Sequence, residues 1–227
     1  RLYEEKIAGY RNFVNKLWNA SRFVLLTCEK ENVQPARVES GKWKVESLTL
    51  ADRAVLSALQ QLISDVTRGL EEYRLSEVGE RLYGFTWDYF CDWYLELSKG
   101  EANVHVLVHV VRTLLTLLHP YCPFVTEELW EHFKPQATGM LMKEPWPKAD
   151  KKLCDDEAEA SFYVLIDVIS AIRQIRAEQG IESGTTIDVI IHATEHLEVI
   201  RSQREHIMHL GRIRDWTLDA VPTPHTH

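Results

Sequence analysis

Apolar side chains recur at three- and four-residue intervals through six successive stretches up to about residue 180, and this helical period constrains the fold more than any other feature of the chain. The first stretch predicts a helix over about 2–28. A polar segment, Glu29 to Ser47, follows with Pro35 and Gly41 in it. A second helix starts near Thr49 and carries Val55, Leu59, Leu62, Ile63, Val66 and Leu70 on one side, with Gly69 weakening its end. The third runs from about Ser76 to Lys99, with Val78, Leu82, Phe85, Tyr89 and Trp93 in register and Gly100 as its stop. The fourth spans Val104 to Leu118. The fifth follows Pro123, whose missing N–H suits a first turn, and ends near Phe133. Residues 134–154 read as a wrapping loop. A sixth helix covers about Asp155 to Gln179, and its acidic start suits the helix dipole.

After Gly180 the period changes. Residues 186–191 read as a strand, Glu195 to Leu210 as a helix, and Trp216 to Leu218 as a second short strand. The expected fold is therefore mainly α: a helix bundle over 1–155, then a connecting helix and a small strand–helix–strand α+β subdomain over 156–221, with a disordered tail at 222–227. Two short strands make no stable sheet alone, so the subdomain is expected to be truncated and completed by a longer parent chain. A helix pattern already running at Arg1 leads to the same expectation.

No apolar run approaches the roughly 18 residues needed to cross a bilayer, and no cleavable leader precedes the first helix, so a soluble cytoplasmic protein with no membrane partner is expected. Cys28, Cys91, Cys122 and Cys154 lie far apart with no C-x-x-C pair, which predicts reduced thiols and no metal site. Hydrophobic residues make up 45% of the chain, enough for a real core. The net charge of −8 weighs against nucleic acid, but its distribution does not. Arg1, Lys6, Arg11, Lys16 and Arg22 face only Glu4 and Glu5 in the first helix, and no acidic side chain occurs between Lys6 and Cys28.

That helix is the most informative element. At about 100° per residue, Phe13, Leu17, Ala20 and Val24 share a core-facing arc with Tyr10, Val14 and Leu25 beside it. The opposite arc collects Arg11, Asn12, Asn15, Lys16, Asn19 and Arg22, and Trp18 and Phe23 lie at its margins. Asparagine costs about 0.5 kcal/mol against alanine inside a helix, so an ordinary solvated face is better made from Lys, Glu and Gln. Single-stranded RNA asks for this mixture: aromatic or guanidinium planes for bases, amides for base edges and cations for phosphates. A solvated face on which asparagines happen to fall remains the alternative.

Other clusters carry less. The aromatic-dense third helix, Tyr83 to Tyr94, reads as core packing. Asp88, Asp92 and Glu96 repeat every four residues and read as partners for arginines or backbone donors within the bundle. Arg173 and Arg176 form a small cationic face, for RNA, for another domain, or simply for Glu178 or Glu182. No phosphate-binding glycine loop, dinucleotide fingerprint or nucleophile elbow occurs, so no catalytic residue is expected.

Five strings, YRNFVNKLWNASRFV (10–24), FTWDYFCDWYLELSK (85–99), LHPYCPFVTEELW (118–130), the Trp146-Pro147 pair and AIRQIRAE (171–178), together resemble the anticodon-binding region of valyl-tRNA synthetases over about residues 9–180. The resemblance implies a class I, ATP-dependent valine–tRNA ligase whose catalytic and editing domains lie outside this segment. The family's HIGH-type and KMSKS-type ATP signatures do not occur here, so this fragment is expected to be no enzyme by itself and to bind no cofactor, ATP being used by the parent. Its partners are expected to be a valine-specific tRNA and the parent's other domains, and its state a monomer. The family's positions fall on Arg11-Asn12-Phe13, Asn15-Lys16-Leu17 and Asn19-Ala20-Ser21-Arg22-Phe23, the residues the helical wheel singles out. A sister isoleucyl, leucyl or methionyl enzyme and a protein-binding helical scaffold are the alternatives.

Overall fold

The computed structural model describes the chain at residues 4–39, 41, 43, 47–136 and 138–220, so the expected tail lies outside the described residues. The chain folds as two compact units, Arg1–Asp156 and Glu157–His227.

In the first unit α1 (Glu4–Lys30), α2 (Leu50–Glu71), α3 (Leu75–Gly84), α4 (Val104–Leu118) and α5 (Pro123–Phe133) form the bundle. Each start has a local cause. Thr49 and Asp52 form a reciprocal capping box at α2, the Asn103 side chain accepts from Val106 N at α4, and Pro123 opens α5. α4 is the centre, packing against α1, α2 and α5. Apart from His105, His109 and Thr116 every one of its residues is buried, as a helix apolar nearly all round requires.

Buried Arg112 of α4 carries a charge into that core, where three carbonyls receive it. Its Nε donates to Phe133 O, Nη1 to Val38 O and Nη2 to Pro35 O, at 2.6 to 2.7 Å. The segment after α1 and the end of α5 are thereby tied to the bundle's centre.

The third helix departs from the expected register. α3 continues without a break into ten residues of π-helix, Phe85–Tyr94, and a last turn, Leu95–Leu97. A wider turn moves the inward face from every 3.6 residues towards every fourth or fifth. Val78 and Leu82 are buried as expected, but Thr86, Phe90 and Tyr94 then replace Phe85 and Trp93 in the core, with Tyr89 beside them. Tyr94 Oη donates to Asp52 Oδ1 at 2.6 Å, and burial raises that carboxyl above its ordinary range.

α2 and α3 meet closely at Gly69, where a Cβ would fall on Val78 Cγ2. The turn between them is a Schellman motif: Arg74 N donates to Gly69 O and Tyr73 N to Leu70 O. Glycine is the usual residue at its left-handed position, yet this chain places Tyr73 there at φ +59°.

The second unit holds α6 (Asp156–Glu178), β1 (Ile187–Ala193), α7 (Leu197–Ser202), α8 (Arg204–Gly211) and β2 (Ile213–Ala220). β1 and β2 pair in parallel, joined by the two short helices. The single helix expected over Glu195 to Leu210 is broken at Gln203, and β2 is longer than Trp216 to Leu218. An irregularity skips Arg214, pairing Ile187 with Ile213 and Asp188 with Asp215. Ile213 and Trp216 are therefore both buried although three residues apart, which hides the two-residue alternation that marks a strand.

Candidate nucleic-acid interface

On α1, Phe13, Leu17, Ala20, Val24 and Cys28 are buried, and this stripe fixes the helix's rotation in the bundle. The rotation turns Arg11, Asn12, Asn15, Asn19 and Arg22 outward. None of the five has a hydrogen-bond or ionic partner among the described residues. Arg11 and Arg22 bracket about 16 Å of helix at 1.5 Å per residue, with Asn15 and Asn19 between them. Trp18 is 42% exposed at one margin. Phe23 is half-buried at the other, with only part of its ring available.

Two side chains sit differently from their expected places. Tyr10, expected beside the core, is exposed instead. Lys16, expected among the free cations, points into the bundle's surface. Its Nζ lies 2.5 Å from Asp92 Oδ1 and 3.8 Å from the centre of the Trp87 ring. Trp87 in turn stacks on Tyr83 at 5.7 Å, and Tyr83 on Phe13 at 5.0 Å. Lys16 and this aromatic ladder lock α1 against the π-helical segment, so Lys16 orients the amide stripe and its charge is largely neutralised where it stands. Of the acidic series, Asp92 thus meets a lysine rather than an arginine, and Glu96 bonds Lys99.

Arg173 and Arg176 are not a free cationic pair. Arg173 Nε donates to Leu210 O at the end of α8. Arg176 is 7% exposed, and its Nη2 donates to Glu182 O and Thr185 O, holding the turn into β1. Burial and those carbonyl bonds correct its assignment as an outside contact; a surface pairing with the Glu182 carboxylate is replaced by a bond to that residue's backbone.

Burial pushes the thiols of Cys28 and Cys122 up to about 11 and that of Cys91 to about 12, so they stay protonated near neutral pH. Among the described residues no group of three His, Cys, Asp or Glu side chains is placed to hold a metal, and no helix is long and apolar enough to cross a membrane.

Residues 52–191 match the family described as the anticodon-binding domain of tRNA ligase; α1 precedes the matched residues. Over 94% of its length the chain is 39% identical to a valine–tRNA ligase of Dehalococcoides mccartyi, of which it covers 25%. A valine–tRNA ligase of Carboxydothermus hydrogenoformans is 42% identical over 84% of the chain and 22% of its own length. For one of Geobacter sulfurreducens the values are 36%, 95% and 25%. The chain thus spans about a quarter of the length of these relatives. Among solved structures, LeuRS of Agrobacterium radiobacter K84, in a ternary complex with tRNA and LeuAMS, shares the fold with a TM-score of 0.51 and 21% identity, over 65% of this chain and 17% of that one.

Proposed function

We propose, from the premise that this chain belongs to the anticodon-binding domain family of tRNA ligases, that it is the part of a valine–tRNA ligase that holds the anticodon arm of the valine tRNA along α1. The observation that carries this reading is the outward stripe of α1, where Arg11, Asn12, Asn15, Asn19 and Arg22 stand without partners among the described residues, beside the exposed Trp18. Amides left unpaired on a helix cost stability and are worth keeping where base edges pair with them. Arg11 serves phosphate, Asn15, Asn19 and Arg22 read bases, and Trp18 with part of Phe23 stacks on them. Lys16 acts as a positioning residue for that stripe.

The chemistry of this segment is recognition. Seating the anticodon arm orients the acceptor end for catalytic and editing domains elsewhere in the parent, and orientation of a reacting group is itself a large part of a rate enhancement. ATP is used by those domains and by nothing here. The protein works as a cytoplasmic monomer. Selecting the tRNA leaves the choice of amino acid to the parent's own pocket, which discriminates poorly between near-isosteres.

The test is a binding comparison between valine tRNA and the same tRNA with an altered anticodon, with circular dichroism confirming that each variant is folded. Asn15→Ala, Asn19→Ala and Arg22→Ala should each lose roughly 1–3 kcal/mol of that preference, a range taken from base readout in duplexes. Arg11→Ala should weaken both RNAs alike. A preference left intact in all three base-reading variants would mean the stripe is only a solvated surface.

A further inference from the structure

We propose that the end of the bundle made by the α2–α3 and α4–α5 turns is a protein-docking face, and that its occupant is another domain of the same ligase chain, one presenting apolar side chains flanked by lysine and arginine. This rests on the reading of the chain as part of a longer tRNA ligase, three-quarters of whose relatives' length lies outside it.

The two turns are one surface, because Tyr121 Oη donates to Leu75 O at 2.7 Å and the Tyr121 ring lies over Gly79. On that surface Tyr73 is 87% exposed and Phe124 91%, with Leu75 and Tyr121 also exposed. A lone exposed apolar residue means little; four large ones from two linked turns form a patch. Tyr73 adds an independent sign. It occupies a left-handed position where glycine or asparagine is easier on the backbone, and its ring gains almost no burial in return. The ring is thereby presented outward, where a partner's surface can cover it.

Charge selects the class of partner. On the side of the α2–α3 turn Arg74 is paired with Glu72 and Glu77, which leaves Glu71 and Glu80, both exposed, as the acidic side chains without an ion pair among the described residues. On the other side no lysine or arginine occurs between Arg112 and Lys134, while Glu127 and Glu128 lie in the first turns of α5; Glu131, further along, is paired with Lys134. Phosphate is repelled by such a rim, so this end does not continue the RNA face of α1; a basic-rimmed protein surface complements it.

The test is hydroxyl-radical footprinting of the full-length ligase without tRNA, referred to the same side chains in the denatured enzyme. Tyr73 and Phe124 should be oxidised at least tenfold more slowly in the folded ligase. Glu71→Lys combined with Glu80→Lys, two exposed positions in the rim, should restore fast oxidation while the circular dichroism melt stays that of the parent. Oxidation of both rings at the denatured rate in the unmodified enzyme overturns the proposal. So does protection that appears only on adding tRNA, protection that rises with enzyme concentration, or protection undisturbed by the charge reversals. None of these readouts uses the anticodon, so loss of the α1 reading and loss of this one are separate results.

Discussion

Because Lys16 Nζ is bonded to Asp92 and lies over Trp87, the cations that the middle of α1 offers to a polyanion are Arg11 and Arg22. Replacing Asp92 by asparagine leaves Lys16 in place and releases its charge. The expected outcome for Asp92→Asn is tighter binding of every tRNA, with the slope of log affinity against log salt steeper by about 0.7, one single-strand phosphate contact; an unchanged salt slope in titrations counts against it. The amide stripe is legible from residue types on one helix. The lysine's engagement is not, since its partner lies 76 residues away and only the packing of two helices brings them together. His109 gives a second residue-scale expectation. Burial, and next the Arg112 guanidinium, lower its pKa from 6.5 to about 4, and its Nδ1 has no partner among the described residues. As pH falls below 6.5 the unfolded chain takes up this proton while the folded one stays neutral until about 4. Folding stability therefore declines across that window, by up to about 3 kcal/mol less what water screens at the exposed edge of the ring. His109→Leu should flatten the decline between pH 6.5 and 4 in denaturant titrations; an equally steep profile would show that other groups carry it.

Helices carry their own consequences. Gly69 reads from sequence as a weak end to α2, but its structural reason is close approach: an added Cβ would lie 2.4 Å from Val78 Cγ2. Gly69→Ala should therefore destabilise the bundle by about 1–3 kcal/mol despite alanine's better helix propensity. A thermal melt that rises instead would show that α3 shifts freely. The number and order of the bundle helices are legible because a 3.6-residue period, caps and proline all agree. Two elements escape that logic. The aromatic stretch Phe85–Tyr94 is apolar on so many sides that an α and a π register fit it equally, and packing against Asp52 and α1 selects the second. β2 is foreseen only at Trp216 to Leu218, because its skipped Arg214 breaks the alternation that would announce its start.

At the scale of the molecule, a net charge of −8 coexists with one helix whose central stretch has no acidic residue, so long-range repulsion and local attraction oppose each other in any approach to RNA. Tight register is then decided by the short-range pairs of α1, and the family resemblance reaches further than the physics alone in naming which RNA. Arg112 has a consequence in time as well as in space. Its three carbonyl partners lie 21, 74 and 77 residues away, so its bonds close loops that local helix formation cannot close. They form after the rate-limiting barrier if the helices assemble first. Arg112→Met should then speed unfolding in stopped-flow experiments by tenfold or more while leaving the refolding rate nearly unchanged. A slowed refolding limb would instead put this guanidinium in the nucleus. On the expected outcome Arg112 is the bundle's lock against opening, and sets the lifetime of the folded state rather than the speed of reaching it.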